Sequence, residues 1–143
     1  MLFISVKKMK TALPDFKKTN PLQQGILIML LITLMTLVCW LFQLKSMFAW
    51  NLILSPLFLF CFYNPVIGAF QQKLLQYTGF SVLMFILLAM YIYISGNFVS
   101  DFSYSQSDEL HIMTVLVVLF YLLLNLLCLL FRGILYMLEQ IDN

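Results

Sequence analysis

The residues best suited to chemistry in this sequence lie inside a run of leucines. Residues 121–132 read YLLLNLLCLLFR, with an asparagine near the middle and an arginine at the end. At about 100° per residue, Thr114, Tyr121, Asn125, Cys128 and Arg132 fall within roughly 40° either side of one line on a helix. His111 lies close to the same line, and the opposite face is Leu, Val, Ile and Phe. An amide turned toward lipid finds no partner, so this stripe should face protein. Its groups are a hydroxyl, a phenol, an amide, a thiol and a guanidinium. Such a set can hold neighbouring helices in register, receive a partner helix or line a pathway. The run holds no Gly, Ala or Ser, so its backbone cannot approach a neighbour closely, and its aliphatic face is free to meet lipid or another subunit. Asn51 and Ser55, on adjacent turns of an earlier run, are the natural counterparts of the stripe. Thr33, Thr36, Trp40 and Gln43 form a weaker arc, and Ser81 and Ser95 stand near the two ends of a third run.

The missing groups narrow the chemistry further. No Asp or Glu falls within any of the long apolar runs, and His111 is the only histidine. Two-histidine haem ligation within one chain is therefore impossible, as is a His-rich metal site. Cys39, Cys61 and Cys128 lie in three different runs at different depths and read as small apolar residues. The sequence contains no Gly-x-Ser-x-Gly elbow, phosphate-binding loop or His-Glu-x-x-His pattern. His111, beside Glu109 at a helix start, reads as a capping or surface residue. The expectation is a non-enzymatic protein with no catalytic residues, no bound metal and no cofactor. Proton-coupled export by small four-helix transporters depends on a carboxylate within a helix, and this chain offers none.

The elements that must position these residues follow from composition. The chain has 143 residues, of which 63% are hydrophobic and 10% charged. A soluble domain would be about 25% charged, so lipid must be the main solvent here. Charges are absent from 19–44, 46–72, 74–100 and 110–131. A helix needs about 20 apolar residues to cross a hydrocarbon core of about 30 Å. Each run holds one crossing. The expected fold is all-α: a polytopic bundle of four transmembrane helices with short loops, near 25–44, 47–63, 80–95 and 111–132. The first run is too long for a signal-peptide core and is followed by no Ala-x-Ala site, so it reads as a permanent helix. Met9 could serve as the start codon as well as Met1.

Lys45 and Ser46 alone separate the first two runs, which forces a helical hairpin. Pro56 should perturb the second helix, and Asn64-Pro65 reads as its end. Residues 66–76 (VIGAFQQKLLQ) read as an amphipathic piece along the membrane surface. The acidic stretch 96–109 is the longest loop. Its Ser107-Asp108-Glu109 ending is a serine cap followed by two carboxylates, the order that starts a helix. The chain thus divides into a basic tail over 1–24, a transmembrane domain over 25–132 and a short tail over 133–143 with helical character. Seven of the eight Lys and Arg residues fall on one side if both termini are cytoplasmic, which is the orientation expected. A bacterial cytoplasmic membrane is the expected location.

In size and number of spans the chain is similar to small four-helix immunity proteins against pore-forming bacteriocins, and equally to many accessory subunits. Both likenesses imply a protein whose partners are the bilayer and other integral membrane proteins, or its own copies, with no role for nucleic acid. The expected function is an accessory, assembly, regulatory or immunity-type subunit. The alternative is a passive carrier, channel or lipid flippase lined by the stripe that contains Asn125.

Overall fold

The computed structural model describes residues 20–44, 47–71, 73–100 and 107–141. It consists of four helices, with no strand among the described residues: α1 (Pro21–Leu41), α2 (Met47–Ala69), α3 (Leu74–Val99) and α4 (Asp108–Ile141). All four are long and apolar enough to span a bilayer. The protein is a multi-pass integral membrane protein built as a four-helix bundle. The basic tail up to residue 19, the Lys45–Ser46 link and the centre of the acidic loop lie outside the described residues.

Local chemistry explains where the helices start and stop. Asn20 caps α1, accepting the Leu22 N–H at 3.3 Å, and Pro21 follows where its missing N–H is not needed. The helix ends in a Schellman turn. Leu44 N–H donates to the Cys39 carbonyl at 2.9 Å and Gln43 N–H to the Trp40 carbonyl at 3.2 Å. Gln43 occupies the left-handed position of that turn at φ 52°, where glycine is the commoner choice. Ser107 caps α4 through its Oγ, which accepts the Leu110 N–H at 3.3 Å, with Asp108 and Glu109 in the first turn as the Ser-Asp-Glu order predicts.

Helix α2 departs from the sequence expectation. It runs through both Pro56 and Pro65 to Ala69, so Asn64-Pro65 is not its end, and no separate surface helix occupies 66–76. Pro56 lacks the N–H that would bond the Leu52 carbonyl. Ser55 Oγ supplies that bond instead, at 2.8 Å. Hydroxyls and neighbouring helices meet freed backbone groups in this way, so proline is tolerated within a span. Helix α3 likewise begins at Leu74, six residues before the expected 80, and α1 spans 21–41 rather than 25–44. Helix α4 continues past 132 to Ile141. At 1.5 Å per residue its 34 residues measure about 51 Å, more than the about 30 Å of hydrocarbon.

Helix α2 is the hub. It packs against α1, α3 and α4, while α1 also closes on α3 and α4 rests chiefly on α2. Half of the α2 span is buried but only 11% of the α4 span. The core gathers Ile32, Ala49, Trp50, Ile53, Phe60, Cys61 and Leu88. Gly96 of α3 lets the Trp50 ring lie directly on its backbone, since a Cβ there would overlap the ring.

Candidate functional site

The end of the bundle where α1 starts and α4 ends, here called proximal, contains a cluster of polar side chains drawn from all four helices. Asn64 of α2 is at its centre and is fully buried. Its Nδ2 donates to Gln24 Oε1 of α1 at 3.0 Å and to the Tyr77 hydroxyl of α3 at 3.3 Å. Gln24 Nε2 donates to the same Tyr77 hydroxyl at 2.9 Å, closing a triangle. Ser81 Oγ of α3 donates to Asn64 Oδ1. A serine hydroxyl has one proton, so the contact between Ser81 and the Tyr121 hydroxyl of α4, at 2.5 Å, has Tyr121 as donor.

Apolar contacts fix the geometry of this network. The Tyr121 ring stacks on Phe85 with centroids 4.3 Å apart and planes 5° from parallel, and Phe60 leans on it at 6.2 Å. Gly68 makes room for Tyr77, whose ring a Cβ would meet at 2.9 Å. Among the described residues, every buried side-chain nitrogen and oxygen has a hydrogen-bond partner. The cluster consists of two amides, a hydroxyl and two phenols. It carries no carboxylate, imidazole or cation, so its chemistry is directional hydrogen bonding rather than charge or metal handling. In hydrocarbon, such interhelical bonds contribute about 0.6–2 kcal/mol each.

Of the stripe expected on α4, only Tyr121 enters this network. Asn125 Nδ2 donates to the Tyr121 carbonyl of its own helix at 2.8 Å, and Thr114 Oγ1 to the Leu110 carbonyl at 2.8 Å. Cys128 is half-buried with a free thiol. Arg132 Nη1 donates to the Gln71 carbonyl in the link between α2 and α3, tying the proximal end of α4 to the hub. Asn51 and Ser55 are exposed on α2 and are not brought to the stripe; the counterpart of α4 on that helix is Asn64, by way of Ser81. Gln24, Asn64 and Tyr77 were not among the expected site residues. A signal existed for Asn64, because it continues the buried series Trp50, Ile53, Leu57, Phe60 at helical spacing. Outside the network, a bond between Thr33 Oγ1 and the Tyr91 hydroxyl at 2.8 Å joins α1 to α3 closer to mid-span.

At the distal end three serines, Ser95, Ser100 and Ser107, are buried among apolar residues. A groove of about 500 Å³, lined by α2, α3 and α4, lies there over Trp50, Leu54 and Leu57. No protein-family model matches this chain, and no curated protein or solved structure is similar to it.

Proposed function

We propose that this protein is a non-enzymatic accessory subunit, of assembly, regulatory or immunity type, that binds another integral membrane protein through the outer face of α4. The observation that carries this reading is how α4 uses its two faces. Its polar groups are engaged within the bundle, at Ser81, Gln71 and its own carbonyls. The opposite face is aliphatic and bare. Leu116, Leu119, Leu123, Leu126 and Leu130, all more than half exposed, repeat at intervals of three and four residues. That spacing places a continuous seam where a partner helix can insert side chains between them. A saturated polar network also gives little support to a hydrated pathway. The excess of Lys and Arg on one side supports cytoplasmic termini, in a bacterial cytoplasmic membrane.

The test uses full-length tagged protein extracted from its native membrane in mild detergent. A defined companion should copurify. Replacing Leu119, Leu123 and Leu126 together by alanine should release it, with the unfolding midpoint of the isolated protein unchanged. If purified protein moves a substrate across liposomes unaided, the accessory reading fails. The alternative, a passive lipid-like carrier or flippase, draws its support from the distal groove, which opens between α3 and α4.

A further inference from the structure

Helix α2 is buried along one side and bare along the other. At about 100° per residue, Phe48, Asn51, Ser55, Phe58, Leu59 and Phe62 fall within an arc of about 100°. All six are exposed, while Trp50, Ile53, Leu57 and Phe60 are buried on the opposite side. Lipid solvates the phenylalanines and the leucine but not an amide. The Asn51 amide has no hydrogen-bond partner among the described residues. Asn64 on the same helix and Asn125 on α4 are both bonded within the chain. Asn51 is four residues from the start of α2 at Met47, about 6 Å along the helix axis. Its short side chain cannot carry the amide out of the hydrocarbon as the long stems of lysine and arginine carry their charges. The face therefore calls for a group that gives and takes hydrogen bonds at that depth. Acyl tails have none.

We infer that this face of α2 is the contact surface between two copies of the chain, paired through Asn51. Copies inserted in one membrane share their orientation, so a two-fold axis along the membrane normal sets Asn51 opposite Asn51 at equal depth. An amide carries donors and an acceptor, so the pair exchanges hydrogen bonds and leaves neither residue unsatisfied. A helix from a different protein meets that condition only by carrying its own polar group at the same height. Ser55, one turn toward mid-span, is small, and its hydroxyl is turned to the Leu52 carbonyl of its own helix. The two α2 backbones can therefore approach closely beside the Asn51 pair. The leucine seam of α4 is on another helix and takes no part in this contact.

For the test, full-length protein labelled at its C terminus with a donor or an acceptor dye is reconstituted into phosphatidylcholine vesicles over a range of protein-to-lipid ratios. Energy transfer should rise to a plateau with the stoichiometry of a dimer. Asn51→Leu should weaken the association about tenfold, as expected for losing the interhelical amide bonds. Asn51→Gln, which keeps an amide, should retain most of it. Both variants should keep the helical circular dichroism of the parent, because the side chain is outside the interior. Replacing Leu119, Leu123 and Leu126 together by alanine should leave the dimer unchanged, which separates this contact from the α4 surface. In the same vesicles, oxidation should link Ser55→Cys into a disulfide dimer. Leu83→Cys, exposed on α3, should give no more of it than the parent with its own cysteines. Three results would overturn the assignment: a monomer at every ratio, equal association of the parent and Asn51→Leu, or a different protein held through Asn51 in place of a second copy.

Discussion

The two ends of this bundle are held by different physics. At the proximal end, five polar side chains from four helices, with Asn64 at the centre, form one network and are mutually satisfied. At the distal end, Trp50 lies on Gly96, the buried polar residues are the hydroxyls of Ser95, Ser100 and Ser107, and a largely apolar groove is left between α2, α3 and α4. Hydrogen bonds are directional, so the first end admits one register. Apolar packing is not directional, and in lipid it has no water to flee, so the second end is closed only as far as its shapes allow. The hydrogen-bonded network at the proximal end joins all four helices. The faces that the bundle leaves free meet lipid.

Substitutions at each end can break this comparison or sharpen it. The largest effect is expected from Asn64→Leu, which strands Ser81, Gln24 and Tyr77 in a buried setting. It should lower stability by about 3 kcal/mol, measured by denaturant titration in detergent micelles. A loss below that of a single hydrogen bond would mean that the polar end does not hold the bundle. Gly96→Ala probes the distal end by forcing a methyl into the Trp50 ring. About 2 kcal/mol should be lost, and Trp50 emission should shift in wavelength, because the ring must move.

Tyr121→Phe separates the hydroxyl from the stacked ring. Removing only the bond to Ser81 should lower stability by about 1 kcal/mol, while the contact with Phe85 survives. Combined with Ser81→Ala, it should lose clearly less than the sum of the two single changes, since both remove the same bond. The smallest effect is expected from Asn125→Leu. The Asn125 amide bonds a carbonyl of its own helix, so stability should change by less than about 0.5 kcal/mol. A larger loss would move Asn125 into the network and extend the polar end along α4.

Several of these relations were legible in the sequence and others were not, for identifiable reasons. The cap at Ser107 was legible because capping is settled within four residues. Tyr121 and Arg132 were legible as inward-facing because a polar group in a leucine run has only one tolerable direction. Asn64 was hidden by Pro65, which in water reads as the end of a helix. In lipid a helix broken there would expose backbone groups with no partner, so α2 continues. Ser55 stood out in the sequence, but as a counterpart of the stripe; its role is to serve the carbonyl that Pro56 leaves open. Asn51 illustrates the converse, a polar residue of suitable type on a face that no other helix covers.

By itself the sequence determined that the chain crosses a membrane four times as helices, because span length and the absence of charge act locally and require no knowledge of neighbours. It also determined the serine cap that starts α4. Only the tertiary structure decided that Gln24, Asn64, Tyr77, Ser81 and Tyr121 meet, and that a groove is left over Trp50. Which faces of four apolar helices come together depends on the fit of side chains far apart in the chain, and an apolar pattern that is nearly uniform around α1, α2 and α3 carries little record of that choice.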